Sequence, residues 1–499
     1  MRRYGLNTKV VAVALVLTVT RLVAARWIHL TEDEAYYRLW AQHLQFGYYD
    51  HPPMVAWWIR AGVTAVGDNP LGVRLLAILA TGIATWLVAD LARALGVSPR
   101  TALRAAVWYN ATITIGVGGI LATPDAPATL FWIACLWALA KTMSDGASAW
   151  WLAAGLAAGL GAISKYSALF LAPGVLLWLG LTLDGRRTLR TPWHWLADVI
   201  AAALFATNLA WNAGHEWITF SKQFGRLAPS GFSPAYLGDL LIGQFVLLNP
   251  LIAVYAVRGL WQGWRERATG TAHLLLPVAT TAPFAAYLLL HSLHDRVQGH
   301  WPVPLFAALV ICAAVAVERA SDGRVARMVR GTAIGAGFGL SALALAYMAA
   351  PQSRGLGTFD PILALRGWRQ FSVEVDRLRQ QSGAQWVGTV GYGALAQLSA
   401  ERLIKAPLIQ IYERGRYRQA PPSRADLARP GLVVDLARRL TSQDLDRCFG
   451  QVRALGDLDR GASGGGPAAR YRTYLVSQPR VDVLAEGCPE DPARRRGRR

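Results

Sequence analysis

Residues 31–53 read TEDEAYYRLWAQHLQFGYYDHPP and form a polar segment between two apolar ones. One apolar segment, residues 10–25, precedes it, and another begins near Leu71. Ionisable side chains beside a bilayer are costly to keep, so a polar loop between two membrane spans indicates a functional site. We therefore take this loop as the feature that decides both the fold class and the place of the chemistry.

The loop also has its own predicted structure. Thr31 followed three residues later by Glu34 matches a capping box, which predicts a short amphipathic helix that starts here and ends near Gly47. Pro52 and Pro53 then lead into a second apolar segment. We expect two interfacial helices joined by a polar turn.

The composition is typical of a polytopic membrane protein with an additional soluble part. Of 499 residues, 53% are hydrophobic and only 16% are charged. The net charge of +20 would also suit nucleic acid, but the arginines lie in short loops between apolar segments and in a C-terminal tail, without a nucleic-acid-binding motif. We expect the lipid bilayer as a partner and no nucleic acid.

About eleven segments are long and apolar enough to cross a hydrocarbon core of ~30 Å. They lie near residues 8–27, 70–91, 102–122, 126–143, 149–163, 166–183, 194–211, 236–257, 272–291, 301–318 and 330–350. The first segment has no small-residue cleavage site after it, so we expect it to stay as an anchor. The predicted fold is mainly α, a polytopic bundle of membrane helices.

The topology depends on the short break at Lys165. A turn there gives the count above, whereas a kink lowers it by one and moves every later loop to the other side. With a turn and a cytoplasmic N-terminus, arginine and lysine gather in the cytoplasmic loops, as the positive-inside rule expects. Residues 31–53, 123–125, 212–234 and 291–300, with everything after Pro351, then lie outside the cytoplasm.

The chain changes character after Pro351. Short segments rich in Val, Ile, Leu and Tyr alternate with polar helical ones, which predicts a small α/β domain outside the cytoplasm. We expect residues 1–350 to form the membrane domain with its catalytic outer loop at 28–69, residues 351–490 to form the α/β domain, and residues 491–499 to form a basic tail. In that compartment Cys448 and Cys488 are expected to form a disulfide, although two unrelated thiols remain the alternative.

The motifs in the first loop resemble a known family. The acidic pair in DEAYY, Asp33 to Tyr37, and the turn YYDHPP that follows are similar to those of bacterial relatives of protein O-mannosyltransferases. These are GT-C glycosyltransferases that use polyprenyl-phosphate sugars, among them aminoarabinose transferases and rhizobial galacturonosyltransferases that modify lipopolysaccharide. The resemblance extends to about residue 350. It implies an enzyme of the bacterial inner membrane with its active site on the periplasmic side.

The implied reaction needs one base, because phosphate is already a good leaving group. Asp33 is the candidate base, although an acid in the first turn of a helix also complements the helix dipole. Glu34 is a second catalytic candidate, and the capping box explains it equally well. Tyr37, Tyr49, Asp50 and His51 are expected to line the substrate cavity. The aminoarabinose branch has lysine where this chain has His51, so the donor sugar stays open.

Further candidates lie in later outer loops. The resemblance suggests that Asp125 is a second acidic wall and that Lys165 contacts phosphate, but a turn residue and a snorkelling lysine are the alternatives. Arg296 and His300 are the best candidates for holding the leaving phosphate, although interfacial Arg and Trp are common without catalysis.

No cofactor is predicted. The carboxylates and His51 have the chemistry of a divalent-cation site, but the sequence has no H-E-x-x-H motif and no cysteine pair with zinc spacing, so we expect metal-independent transfer. The sequence thus predicts a mannosyltransferase-like membrane enzyme that takes sugar from a polyprenyl-phosphate donor to a lipid or glycan acceptor. A transporter or lipid flippase and a membrane-anchored scaffold are the alternatives.

Overall fold

The computed structural model describes residues 8–225, 231–266, 274–320, 323–350, 360, 362–412, 414–419, 422–461, 467–480, 483 and 488. The predicted basic tail lies outside these residues. The chain divides into two compact units. The first comprises Met1–Arg26 and Gln45–Ala346, and the second comprises Trp27–Leu44 and Tyr347–Arg499.

The helices are numbered here along the chain. The N-terminal part contains α1 (Thr8–Ala25), α2 (Glu32–Trp40), α3 (Met54–Val66), α4 (Pro70–Ala94), α5 (Pro99–Ala111), α6 (Ile113–Gly118), α7 (Asp125–Ser144), α8 (Trp150–Ala162), α9 (Leu171–Leu181) and α10 (Leu183–Thr188). It is followed by α11 (Pro192–Ala213), α12 (Ile218–Phe224), α13 (Ala235–Leu247), α14 (Pro250–Arg265), α15 (Leu275–His291), α16 (Phe306–Arg319) and α17 (Arg324–Ala349). All of these except α2 and the last turn of α17 belong to the first unit.

Among the described residues, five helices are long and apolar enough to cross a membrane: α1, α4, α7, α11 and α17. A sixth span is formed if α13 and α14, which meet at 106°, are taken together. The predicted helical membrane fold is confirmed, but the predicted count of about eleven spans is not. Several of the predicted spans are shorter or broken helices.

Two breaks have local causes. The predicted span at 102–122 divides at Thr112, whose side chain caps α6 by accepting a hydrogen bond from the Ile115 amide (3.4 Å). The predicted span at 236–257 divides at Asn249, which adopts a positive φ of 74° before Pro250. A proline at the first position of a helix and a left-handed residue before it start a new helix in a new direction.

Small residues allow the helices of the first unit to approach closely. A Cβ atom on Gly155 of α8 would collide with the Ala197 carbonyl oxygen of α11. One on Gly259 of α14 would collide with the Cys312 carbonyl oxygen of α16. Close packing through small residues is typical of membrane helices, where water supplies no hydrophobic drive. Cys135 and Cys312 are buried free thiols, as expected for packing residues.

The second unit contains α2 and a small α/β fold. Its further helices are α18 (Trp368–Gln381), α19 (Tyr392–Glu401), α20 (Arg424–Leu427) and α21 (Ser442–Asp446), and its strands are β1 (Trp386–Thr389), β2 (Leu408–Gln410), β3 (Gly431–Leu436), β4 (Phe449–Gly461) and β5 (Pro467–Pro479). The strand order is β2-β1-β3-β5-β4. Strand β1 is parallel to β2 and β3, whereas β5 is antiparallel to β3 and β4. The predicted α/β character is confirmed.

Segment Trp27–Leu44 differs from its predicted domain, because it belongs to the second unit. The first turns of α2 and α19 approach so closely that a Cβ atom on Gly393 would collide with the Glu32 carboxylate. The predicted end of α2 near Gly47 is also wrong, since the helix ends at Trp40. Leu44 is 48% exposed, so no burial supports another helical turn.

Candidate active site

The first turn of α2 carries both predicted catalytic carboxylates. Thr31 Oγ1 accepts a hydrogen bond from the Glu34 amide (3.2 Å), and the Thr31 amide donates to Glu34 Oε2 (2.9 Å). The predicted capping box is therefore confirmed. Glu34 is fully buried, and its carboxylate takes part in this cap. A capping role was the structural alternative to catalysis that the sequence analysis left open for Glu34.

Asp33 is half-buried one residue earlier, and its carboxylate is engaged differently. The Tyr392 hydroxyl donates a hydrogen bond to Asp33 Oδ1 (2.8 Å). The Tyr392 ring lies edge-on to Tyr36, with 5.1 Å between ring centroids, and the Arg416 guanidinium carbon lies 4.3 Å from its centroid. Tyr37 is buried and tilted against Trp40.

Sequence analysis does not identify Tyr392 or Arg416 as functional residues. Tyr392 is 359 residues from Asp33 along the chain and lies in no recognisable motif. The two glycines that flank it, Gly391 and Gly393, are the single local signal of a close approach.

Burial shifts the proton equilibria of two neighbours of Asp33. It raises the pKa of Glu32, and the charges of Asp33 and Asp435 add to this effect. Burial also raises the pKa of Tyr392 well above its usual range, and the negative charge of Asp33 acts in the same direction. The Tyr392 phenol therefore keeps its proton and remains a hydrogen-bond donor at physiological pH.

A second polar cluster lies in the first unit. Asp125 is the first residue of α7, after Pro124, and its Oδ1 is 2.6 Å from the Lys165 ammonium. His300 Nε2 lies 3.6 Å from the other carboxylate oxygen, and His51 interacts with the same carboxylate electrostatically. Four residues that the sequence selected from separate loops are thus brought together. The Lys165 ammonium also lies 6.0 Å from the centroid of the Trp301 ring.

The remaining candidates of the first unit lie in two places. Asp50 is buried, and its carbonyl accepts a hydrogen bond from the Gln223 side chain. The Tyr49 ring centroid is 5.3 Å from the Lys222 ammonium. Arg296 is exposed in the loop after α15, and no recorded contact among the described residues joins it to Asp125 or Lys165.

In the part of the chain that the structure describes, no group of three or more His, Cys, Asp or Glu side chains is placed to hold a metal ion. The acidic groups of the two units are engaged by tyrosine, lysine, histidine and backbone donors instead.

Parts of the chain are similar to a known family and to known relatives. Residues 50–211 match the family described as dolichyl-phosphate-mannose-protein mannosyltransferase. The lipid A galacturonosyltransferase RgtD of Rhizobium johnstonii is 27% identical over 288 residues, which cover 56% of this chain and 59% of that protein. An undecaprenyl phosphate-alpha-4-amino-4-deoxy-L-arabinose arabinosyl transferase of Pseudomonas fluorescens is 28% identical over 273 residues, covering 50% of this chain and 48% of that protein. The chain thus spans about half to three fifths of the length of these relatives.

The fold comparison covers nearly the whole chain. The crystal structure of ArnT from Cupriavidus metallidurans bound to undecaprenyl phosphate matches with a TM-score of 0.62 and 15% identity, over 98% of this chain and 100% of that one. This likeness shows a GT-C-type membrane fold. The resemblance to the GT-C glycosyltransferase superfamily, predicted from DEAYY and YYDHPP, is confirmed.

Proposed function

We propose that this chain is a membrane glycosyltransferase that moves one sugar, with inversion, from a polyprenyl-phosphate carrier to an extracytoplasmic acceptor. The observation that carries the proposal is the cluster of Asp125, Lys165 and His300. A lysine and a histidine held by a buried carboxylate at the ends of apolar helices suit the phosphate of a lipid-anchored donor.

The chemistry requires a single displacement at the anomeric carbon. Asp33 removes the proton from the acceptor hydroxyl, and the oxygen attacks the anomeric carbon as the bond to the carrier phosphate breaks. The electron pair leaves with the phosphate, whose charge Lys165, His300 and Arg296 stabilise. One displacement inverts the configuration. Tyr37, Tyr49, Asp50 and His51 are assigned to substrate binding, and Glu34 remains a catalytic candidate beside its capping role.

The acceptor is proposed to be an envelope glycolipid or lipopolysaccharide. The names of two relatives support this choice, since one is a lipid A galacturonosyltransferase and the other uses an undecaprenyl-phosphate sugar. We place the protein in the inner membrane, with the second unit in the periplasm. The disulfide between Cys448 and Cys488 supports this orientation, because disulfides persist in oxidising compartments.

The test is mass spectrometry of envelope glycolipids from a strain that lacks the gene. The strain is complemented with the wild-type chain or with Asp33→Asn, at matched membrane levels. We expect the deletion to remove one hexose, pentose or uronic acid mass, the wild-type chain to restore it, and Asp33→Asn to leave it missing. The size of the missing mass identifies the class of donor sugar.

A purified system gives the complementary test. The full-length protein in detergent is supplied with undecaprenyl phosphate that carries galacturonic acid, 4-amino-4-deoxy-L-arabinose or mannose, and with glycolipid extracted from the deletion strain. Transfer from one of these donors supports the proposal. If glycolipid masses are unchanged in the deletion strain and lipid-linked sugars accumulate on one leaflet, the protein is a flippase and the proposal fails.

A further inference from the structure

Within the second unit, Asp33 of α2 and Tyr392 of α19 are joined by a hydrogen bond. The Tyr392 hydroxyl donates to Asp33 Oδ1 at 2.8 Å. A donated hydrogen bond fixes the rotation of a carboxylate. A base that must meet a hydroxyl within hydrogen-bond distance needs such a fixed orientation.

Tyr392 is itself held rigidly. Its ring is fixed between Tyr36, edge-on at 5.1 Å, and the Arg416 guanidinium carbon at 4.3 Å. Its backbone carbonyl accepts a hydrogen bond from the Tyr417 hydroxyl (2.8 Å). The phenol therefore has little freedom to leave Asp33.

The backbone before Tyr392 is anchored by a buried carboxylate. Asp435 Oδ2 accepts hydrogen bonds from the amides of Val390 (2.9 Å) and Gly391 (2.6 Å). Asp435 lies on β3, in the centre of the sheet. The position of the Tyr392 hydroxyl is thus set by the core of the α/β fold and not by a mobile loop.

We infer that Tyr392 is a positioning residue that orients the Asp33 carboxylate for proton abstraction. This inference rests on the proposed function, in which Asp33 is the base. It gives the second unit a direct part in catalysis. Tyr392 itself neither accepts the proton nor touches the donor in this scheme.

The test compares Tyr392→Phe with the wild type in the purified transfer assay. Loss of a hydrogen bond to a charged group is expected to lower kcat ~10–100-fold. The KM for the undecaprenyl-phosphate sugar should stay unchanged, because the phosphate contacts are untouched.

Two further variants make the result specific. Tyr474→Phe removes a tyrosine hydroxyl from β5 in the core of the same unit and should leave kcat and KM unchanged. Adding Tyr392→Phe to Asp33→Asn should cause no further loss, because Tyr392 acts through Asp33. Thermal unfolding of each variant shows whether the fold is intact.

The contradicting results are separable from failure of the proposed function. If Asp33→Asn is inactive while Tyr392→Phe keeps the wild-type kcat, the inference is wrong and the assignment of the base stands. A lower kcat that is accompanied by a changed KM and a lower unfolding temperature also overturns it, since Tyr392 would then be purely structural. Full activity of Asp33→Asn would remove the base assignment itself.

Discussion

The Lys165 ammonium lies 2.6 Å from Asp125 Oδ1, and the two side chains are only 13% and 10% exposed. This ion pair joins the start of α7 to the break between α8 and the short 3₁₀ helix Tyr166–Phe170. The predicted alternatives were a turn aspartate and a snorkelling lysine. Neither side chain is exposed enough for water to stabilise its charge. Each charge is therefore stabilised by the other member of the ion pair.

Lys165→Ala should therefore lose both activity and stability. Without Lys165 the buried Asp125 keeps only its more distant interactions with His300 and His51, and breaking a buried ion pair in this way costs about 3–5 kcal/mol. Asp125→Asn combined with Lys165→Gln removes both charges and should recover most of the unfolding temperature in detergent. If the double variant is stable and inactive, Lys165 acts on the phosphate, whereas a stable and active double variant would make the pair purely structural.

Asp33→Asn should abolish transfer and leave the protein folded. The amide keeps the size of the side chain and can still accept a hydrogen bond from Tyr392, but it cannot take a proton. Loss of a well-placed base lowers the rate ~10²–10⁴-fold. Single-turnover transfer by purified protein measures this, with the unfolding temperature as the check on folding. Near-normal turnover would end the assignment of Asp33 as the base.

These residues also show how much of the candidate site could be predicted from the sequence. The capping box at Thr31 and Glu34 was predictable because it is local, and the grouping of Asp125, Lys165 and His300 was predictable in part because a family motif marks each of their loops. Tyr392 was not predictable. Its contact with Asp33 joins segments 359 residues apart, and neither pattern nor spacing encodes such a contact.

The predicted span count is not confirmed, for a related reason. Hydropathy averaged over a window of residues shows how long an apolar segment is. It does not detect a helix cap inside that segment. Thr112 and Asn249 each break an apolar segment by accepting one hydrogen bond at the side-chain oxygen, from the Ile115 amide and the Leu251 amide respectively. Each break turns what the composition indicates is one span into two shorter helices.

Arg296→Ala should weaken the use of donor without destabilising the protein. The guanidinium lies exposed in the loop after α15, so its removal leaves the packing unchanged. We expect a raised KM for the lipid-phosphate sugar, and Arg296→Lys should recover little because an ammonium cannot make the two-pronged phosphate contact. Arg60→Ala, an exposed arginine on α3, is the matched control. If Arg296→Ala has wild-type kinetics, Arg296 does not bind the phosphate, and Lys165 and His300 remain as the candidates that do.

Glu32→Gln should change how stability depends on pH. Burial raises the pKa of Glu32 in the folded state, so its stabilising contribution is complete below the unfolded pKa of about 4.3 and is lost as pH rises through the folded value. The glutamine side chain of the variant cannot ionise, so the variant loses no stability from this position as the pH rises. Its unfolding temperature should match the wild type in acid and exceed it by ~1–4 °C at neutral pH.

Differential scanning fluorimetry between pH 4 and pH 8 measures this difference. Glu374→Gln on α18 is the control, because Glu374 hydrogen-bonds only to the exposed Gln370. A constant offset between Glu32→Gln and the wild type across this range would contradict the explanation. It would show that the change acts through packing against Gly393 and not through the charge of Glu32.

The disulfide between Cys448 and Cys488 was predicted from topology alone and is confirmed, with 5.7 Å between the Cα atoms. It joins the residue before β4 to the last described residue of the chain, and both cysteines lie in the core of the second unit. Closing a loop of 40 residues restricts the unfolded chain and stabilises the fold by about 4 kcal/mol.

Replacing both cysteines by serine should therefore lower the unfolding temperature of the second unit. Adding reductant should lower that of the wild type by a similar amount and leave the variant unchanged. The Cys135→Ser, Cys312→Ser variant is the control, since both of those thiols are free and buried. Maleimide labelling of protein from intact cells decides the compartment. If Cys448 and Cys488 react as free thiols there, the second unit lies in a reducing compartment and its proposed periplasmic placement is wrong.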